Sequence, residues 1–428
     1  MDLKRYKLGE IVKLHTITIS PNSGTIYKLY SLPSFDNGMQ CEIVDGNYIQ
    51  SNKFSVPNKC ILFNKLNVRF KRVWRINNED TNKLCSTEFL PLIVDENIVD
   101  YQYLYYLLIS DGITNYLCGQ NTNTSGSHKR IDPNDFLNIN VFLPSKSAQK
   151  QIGKLLSYID NKINLNHALN QNLEAMAKQL YDYWFVQFDF PDENGRPYKS
   201  NGGEMVWNKK LKREIPKGWN VLKLGERCSF NKRTSSGYFN HSILYLDTSN
   251  ITNNTIDELQ FLNPSSDIIP SRARRLVQEG DIVYSTVRPN LKHFGIIMNP
   301  DYNMVVSTGF AVITANWSAY RYFIYQFLIQ AATIENLSTI AQSAVSAYPS
   351  INTSDIENLD LVVPPDSMIE EYAKISCRLY LQIDTNYKEI KSLTKQRDEL
   401  LPLLMNGQVS VNSDLATILN LFPQKHYL

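Results

Sequence analysis

The side chains whose types and grouping suit chemistry here are cations set among aromatic, amide and hydroxyl residues. One group is Lys65, Arg69, Lys71, Arg72 and Arg75, with Lys129 and Arg130 further on. A second runs through Lys232 and Arg233, then Arg272, Arg274 and Arg275, then Arg288, Lys292 and His293. Arg and Lys suit phosphates, while Arg, Asn and Gln can read base edges. Taken singly, such a cluster is more often a solvated face. Bond-breaking chemistry is not visible. There is no G-x-x-x-x-G-K-[ST] loop, and no G-x-G-x-x-G after a strand. Pro364-Pro365 is followed by Asp366-Ser367, not by the aromatic residue of an amino-methyltransferase motif. Asp366 with Glu389 and Lys391 superficially fits a nuclease carboxylate–lysine set. Both Glu389 and Lys391 fall on a heptad helix, which makes this a chance match. The scattered histidines read as structural or surface groups rather than bases.

The elements that must position these residues are dominated by one stretch, 149–184. In sevens, Ile152, Ile159, Asn166, Leu173 and Leu180 fall on one line. Leu155, Lys162, Leu169, Met176 and Tyr183 follow at the d spacing. That repeat closes a helix about 50 Å long against a partner helix. Its apolar end is Tyr183, Trp184 and Phe185, a candidate docking patch. Earlier in the chain, Val68, Phe70, Trp74 and Ile76 alternate with cations, the period of a half-buried strand over 61–76. The region 98–109 reads as a buried helix, 121–128 as a polar loop, 136–143 as an apolar strand, and 188–218 as a linker.

At 428 residues the chain needs two or more cores. The net charge of +2 excludes a basic tail but not local patches. The six cysteines form no C-x-x-C pair, so zinc is not expected, and free thiols in a reducing cytosol are the default. No signal peptide and no membrane span is legible, and a cytoplasmic protein is expected.

The plan then recurs. Lys223-Leu224-Gly225-Glu226 echoes Lys7-Leu8-Gly9-Glu10, and Val306-Ser307-Thr308-Gly309-Phe310 echoes Cys85-Ser86-Thr87-Glu88-Phe89. Residues 361–364 match 141–144, 220 positions earlier. The same shift carries the heptad line onto Tyr372, Leu379, Asn386, Leu393 and Leu400, with the Asn at the same place. An Asn in an apolar seam costs stability but fixes register. The second d line (Ile375, Gln382, Glu389, Gln396, Leu403) is more polar, so its seam is expected to be weaker. A repeat of that length means two whole halves, not a solenoid. The two helices are expected to pair antiparallel, with Asn166 near Asn386.

In combination these motifs resemble the specificity subunit of type I restriction–modification systems. The resemblance is sharpest over 143–226, through L-P-S-K-S-A-Q-K-Q-I-G-K-L-L-S-Y-I-D-N-K-I, N-L-E-A-M-A-K-Q-L-Y-D-Y-W-F-V-Q-F-D-F and I-P-K-G-W-N-V-L-K-L-G-E. The distal run from L-V-V-P-P to L-L-P-L-L-M-N-G-Q-V fits the second conserved region of that family. The resemblance implies an α+β chain: two similar mixed α/β target recognition domains, joined and separated by a pair of long antiparallel coiled-coil helices with pseudo-twofold internal repeat. Its parts would be recognition domains at 1–145 and 219–365, conserved helices at 146–187 and 366–408, the linker, and a tail at 409–428. Each domain would read half of a bipartite double-stranded DNA site. The helices would act as a ruler and dock two modification (methyltransferase) subunits, Tyr183, Trp184 and Phe185 being docking candidates. Restriction (translocase/nuclease) subunits would join them. No cofactor is expected on this chain; S-adenosylmethionine, ATP and Mg2+ would belong to the partner subunits. The alternatives are a coiled-coil scaffold without DNA recognition, or an enzyme with an unrecognised active site.

Overall fold

The computed structural model describes residues 2–120, 130–343 and 349–411. The expected polar loop at 121–128, Lys129, and the tail residues Leu415, Ile418, Leu419 and Leu421 lie outside the described residues. The chain divides into two compact units, Met1–Asn166 with Glu389–Leu428, and His167–Lys388.

In the first unit a four-stranded antiparallel sheet takes the order Val12–Leu14, Phe89–Val94, Lys59–Asn64, Val73–Asn77. Alternation along Lys59–Asn64 gives this sheet two buried faces. Ile61 and Phe63 join the helix-side core with Leu104, Leu108 and Ile152, while Cys60 and Leu62 pack with Tyr30, Trp74 and Phe89. A five-stranded sheet, ordered Thr18–Ile19, Lys53–Ser55, Lys83–Cys85, Ile26–Tyr30, Glu42–Asp45, holds one parallel pair.

The second unit repeats this wiring. Its antiparallel sheet runs Cys228–Phe230, Phe310–Ala315, Ile282–Ser285, Phe294–Ile296. Its other sheet runs Gln260–Leu262, Ile243–Leu246, Met304–Ser307, Ala273–Leu276, and its parallel pair occupies the same place. The echoed motifs explain themselves. In K-L-G-E the Glu caps the Lys amide in both copies, at 2.7 Å from Lys7 N to Glu10 and 2.7 Å from Lys223 N to Glu226. Leu8 and Leu224 are fully buried, and their amides donate to Ile139 and Leu359. The S-T-x-F echo is the link that carries the chain from the parallel pair of one sheet into the other.

The long helices are α1 (Lys146–Tyr181) and α2 (Asp366–Met405). Each unit takes part of both: 146–166 and 389–405 in the first, 167–181 and 366–388 in the second. Pairing is antiparallel within each. Asp160 meets Arg397 at 3.1 Å and Asn166 meets Glu389 at 2.8 Å in the first unit. Asn170 meets Asn386 at 2.8 Å and Tyr181 packs near Tyr372 in the second. Gly153 has a steric reason: a Cβ there would come within 2.9 Å of the Tyr103 amide, where helix Tyr101–Ile109 presses on α1. Two residues past the end of α2 comes Gly407, whose φ of +69° suits a residue without a side chain.

Several expectations change. The line Ile152, Ile159, Asn166, Leu173, Leu180 does face inward, half-buried at its last two members, as do Tyr372, Leu379, Asn386, Leu393 and Leu400. Its companion line lies four residues on, not three: Leu156, Ile163, Asn170 and Ala177 on α1 and Trp184 in the turn after it, with Ser376, Ile383, Ile390, Arg397 and Leu404 on α2. The expected d residues Leu169, Met176, Ile375 and Leu403 are exposed. Spacings of three and four both keep a seven-residue period, so the sequence alone left the side of the line open. The polar second d line therefore flanks the seam: Lys162 lies 3.5 Å from Glu389, and Gln382 donates to Asn386. Asn166 and Asn386 take Glu389 and Asn170 as partners instead of one another.

The stretch 61–76 is a hairpin, not one strand. Lys59–Asn64 and Val73–Asn77 are its arms, and Val68–Phe70 is a 3-10 turn between them. Within 136–143, Pro133–Leu137 is a helix and only Asn140–Leu143 is strand. The stretch 188–218 is packed rather than a free linker. Phe188, Phe190 and Ile215 are buried in the second unit, and Met205–Asn208 pairs with Arg213–Pro216. Val411, the last described residue, is buried in the first unit's core.

Candidate nucleic-acid interface

The cations fall into distinct settings. Four serve the fold. Arg75 sits over the Tyr105 ring, 4.2 Å from its centre, and donates to Ser157. Arg233 donates to the fully buried Asp281 at 2.7 Å and to Gln278 at 2.6 Å. Arg72 is held by both oxygens of Asp36 at 2.7 Å. Arg130 chelates Glu88, and that hydrogen bond holds the Glu88 carboxyl below its ordinary pKa. Arg274 and Arg275 are tied more loosely. Arg274 donates to the carbonyls of Ser271 and Ser236, and Arg275 to Thr234. Burial pushes the Arg275 pKa down. Arg272 and Lys232 are exposed. Residues 232–235 run alongside strand Ala273–Leu276, which brings the Lys232–Arg233 and Arg272–Arg275 groups together.

The remaining cations collect at one end of the corresponding hairpin in each unit. In the first, Lys65 leaves the strand, Arg69 sits exposed in the Val68–Phe70 turn, and Lys71 follows it. Lys71 makes an exposed ion pair with Asp111 at 2.5 Å. Arg69 and Arg72 both stack on the Phe70 ring, each 4.8 Å from its centre. In the second unit Arg288 and Lys292 flank the Pro289–Leu291 turn. His293 faces the Ile251 carbonyl at 2.7 Å.

Two docking candidates are corrected. Trp184 and Phe185 are buried in the second unit's own core, where Phe185 packs 4.8 Å from Phe323 and 4.9 Å from Tyr372. They lie in a π-helical turn, Asp182–Val186. Of the three, Tyr183 is exposed. Selecting on charge also missed exposed apolar side chains, Phe70 and Leu291 on the turns and Tyr238, Phe261, Ile268 and Tyr302 elsewhere in the second unit. Aligning the repeat through the hairpins would have found the first two.

The carboxylates of the chance nuclease match are engaged in the fold. Asp366 accepts from the Tyr320 hydroxyl at 2.8 Å, and Glu389 from Asn166. Among the described residues no group of three or more His, Cys, Asp or Glu could hold a metal ion.

The chain as a whole is similar to known proteins. The family model for the type I restriction modification DNA specificity domain matches twice, over residues 2–175 and 216–395. The type I restriction enzyme MjaIX specificity subunit of Methanocaldococcus jannaschii is 26% identical over 340 residues, covering 77% of this chain and 74% of that one. The HindI specificity subunit of Haemophilus influenzae is 22% identical over 95% of this chain and all of its own length. The crystal structure of a type I restriction–modification S subunit from M. genitalium has the same fold, with a TM-score of 0.57 at 14% identity over 94% of this chain and 96% of that one.

Proposed function

This chain belongs to the type I restriction–modification DNA specificity family, and from that premise we infer how its two halves divide the work. It is a non-catalytic specificity subunit with two recognition domains, and it acts with DNA and a restriction–modification complex. In our reading each unit recognises one half of a bipartite site on double-stranded DNA. The paired helices α1 and α2 fix the gap between half-sites and carry two methyltransferase subunits, to which restriction subunits are added. S-adenosylmethionine, ATP and Mg2+ serve those partners. No helix among the described residues is long and apolar enough to cross a membrane; a cytoplasmic site of action is part of the proposal.

The observation that carries this reading is the duplication itself. Both units have the same strand order in the antiparallel sheet and in four strands of the other sheet, the same parallel pair and a basic hairpin end at the same place. Two equivalent surfaces on one chain suit a site made of two half-sites.

The test is to assemble the chain with its methyltransferase subunits and measure DNA binding across salt. Phosphate contacts predict a fall of roughly 0.9 log units in affinity per log unit of salt for each phosphate neutralised. Methylation mapping should return two short half-sites at a fixed gap. Methyl transfer by the chain alone, or assembly without any DNA preference, would overturn the reading.

A further inference from the structure

The two basic hairpin ends are built alike residue by residue. Before the turn, Leu66 bridges to Arg130 in the first unit and Val287 to Ser350 in the second. The Lys65 amide donates to Glu88, and the Thr286 amide to Gly309. From those anchors Asn67-Val68-Arg69-Phe70-Lys71 matches Arg288-Pro289-Asn290-Leu291-Lys292 one for one. Val68 and Pro289 are buried, and Arg69 and Asn290 are exposed. Phe70 is 51% exposed and Leu291 44%. The flanking residues are left-handed in both copies, with φ of +51° and +43° at Asn67 and Lys71 and +49° and +58° at Arg288 and Lys292.

Folding alone does not explain this. A hairpin reaches left-handed geometry most cheaply with Gly, yet Lys71, Arg288 and Lys292 hold it here. Strained backbone of this kind gathers at binding sites. An apolar side chain recurs about half exposed at the same turn position, Phe70 carrying the Arg69 and Arg72 guanidiniums on its ring. The chemistry of the exposed positions matches duplex DNA. Arg pairs with guanine and Asn with adenine in the major groove, apolar side chains meet thymine methyls or wedge between base steps, and Lys neutralises phosphate. Two acids are engaged beside the first turn. Asp36 is engaged with Arg72, and the Asp111–Lys71 pair is exposed, of the kind that contributes little and can yield to a phosphate.

We propose that turns 67–71 and 288–292 are the equivalent DNA-reading turns of the two halves, with Arg69 and Asn290 at base edges, Phe70 and Leu291 as apolar contacts, and Lys71 and Lys292 on phosphates. This rests on the specificity-subunit reading above. It goes further by giving the two half-sites to two named turns.

The experiment uses the full chain assembled with its methyltransferase subunits. Arg69→Ala should relax base preference in one half-site by about ten- to a hundredfold, the scale of one lost bidentate contact, and leave the other half-site and the gap unchanged. Asn290→Ala should do the converse. Lys199→Ala, an exposed cation off both turns, should leave base preference at the wild-type level. Ultraviolet cross-linking to bromouracil-substituted DNA should independently join 67–71 to one half-site and 288–292 to the other. If both variants melt normally and methylate the wild-type sequence with undiminished discrimination, or if cross-links form only elsewhere, the turns are not the readers although the specificity role stands. A wild-type complex with no sequence preference would remove that role and this proposal together.

Discussion

Replacing Glu174 by Gln tests the helix seam of the second unit through its response to pH. Glu174 sits on α1, and its Oε1 is buried with no hydrogen-bond partner among the described residues. Facing it are the Asn254 amide, Tyr325 on helix Tyr320–Leu328, and Tyr380 and Tyr387 on α2. Burial raises its pKa from 4.5 to about 7, against the opposing hydrogen bond from Asn254. The tyrosine hydroxyls are themselves pushed above their ordinary value of 10, so they stay neutral over the range tested. Between pH 4.5 and 7 the folded carboxyl keeps a proton that the unfolded one has lost. Its contribution is therefore complete below about pH 4.5 and is lost as pH rises through 7. At about 1.4 kcal/mol for each tenfold change in proton affinity, the loss reaches about 3 kcal/mol. For a unit of this size that is on the order of 10 °C in melting temperature. Glu174→Gln keeps the shape and removes the titration. Calorimetric melts of both proteins from pH 4.5 to 8.5 should diverge, the wild type falling below the variant as pH rises. Parallel curves would refute the burial argument, whatever their offset.

Phe185→Ala should destabilise the second unit by about 3–5 kcal/mol, because it empties a site between Phe323 and Tyr372. Tyr183→Ala, at an exposed position, should leave melting within about 0.5 kcal/mol; weakened co-purification with the methyltransferase subunit would then assign docking to Tyr183, and unchanged co-purification would remove it. Arg233→Ala strips one donor from the buried Asp281, which keeps Thr314 and the Gln278 amide. It should lower stability by about 2 kcal/mol while leaving the salt dependence of DNA binding unchanged; a shallower salt slope would make Arg233 a phosphate contact. Asn386→Leu should cost about 1–3 kcal/mol in chemical denaturation, since it deprives the buried Asn170 oxygen of its donor. Adding Asn170→Leu should recover part of that loss, and no recovery would mean the pair does not act as a unit.

What the sequence exposed, and what it hid, follows from the range of the forces involved. The K-L-G-E echo was legible because its logic is local, a Glu three residues after the amide it caps and a Leu that must be buried. Duplication was legible because those local units recur in order. The helix seam was half legible. Leu155 and Leu156 are adjacent and both buried, so only the partner helix decides which line continues inward. The hairpin at 59–77 was misread because Val68 and Phe70 continue the apolar alternation of the strand across a turn. Trp184 and Phe185 looked available because nothing in their own stretch announces a π-helical turn; Phe323 and Tyr372, far along the chain, bury them. Among the cations, Arg75 and Arg233 were indistinguishable by type from Arg69, and only tertiary partners separate them.

The division of the helices has a consequence for synthesis on the ribosome. The second unit, His167–Lys388, is one continuous stretch and can close as soon as it emerges. The first cannot. Its core takes Leu404, Met405 and Val411, and Gly407 lies against Leu3. At roughly 5–20 residues per second, the residues around Ile152 and Leu156 wait on the order of 10 to 50 s for the segment 404–411 that seals them. The unit made first is thus finished last. A nascent chain stopped near residue 388 would hold a complete second unit beside an unsealed first one, with the apolar groups around Ile152 and Leu156 open to chaperones and proteases.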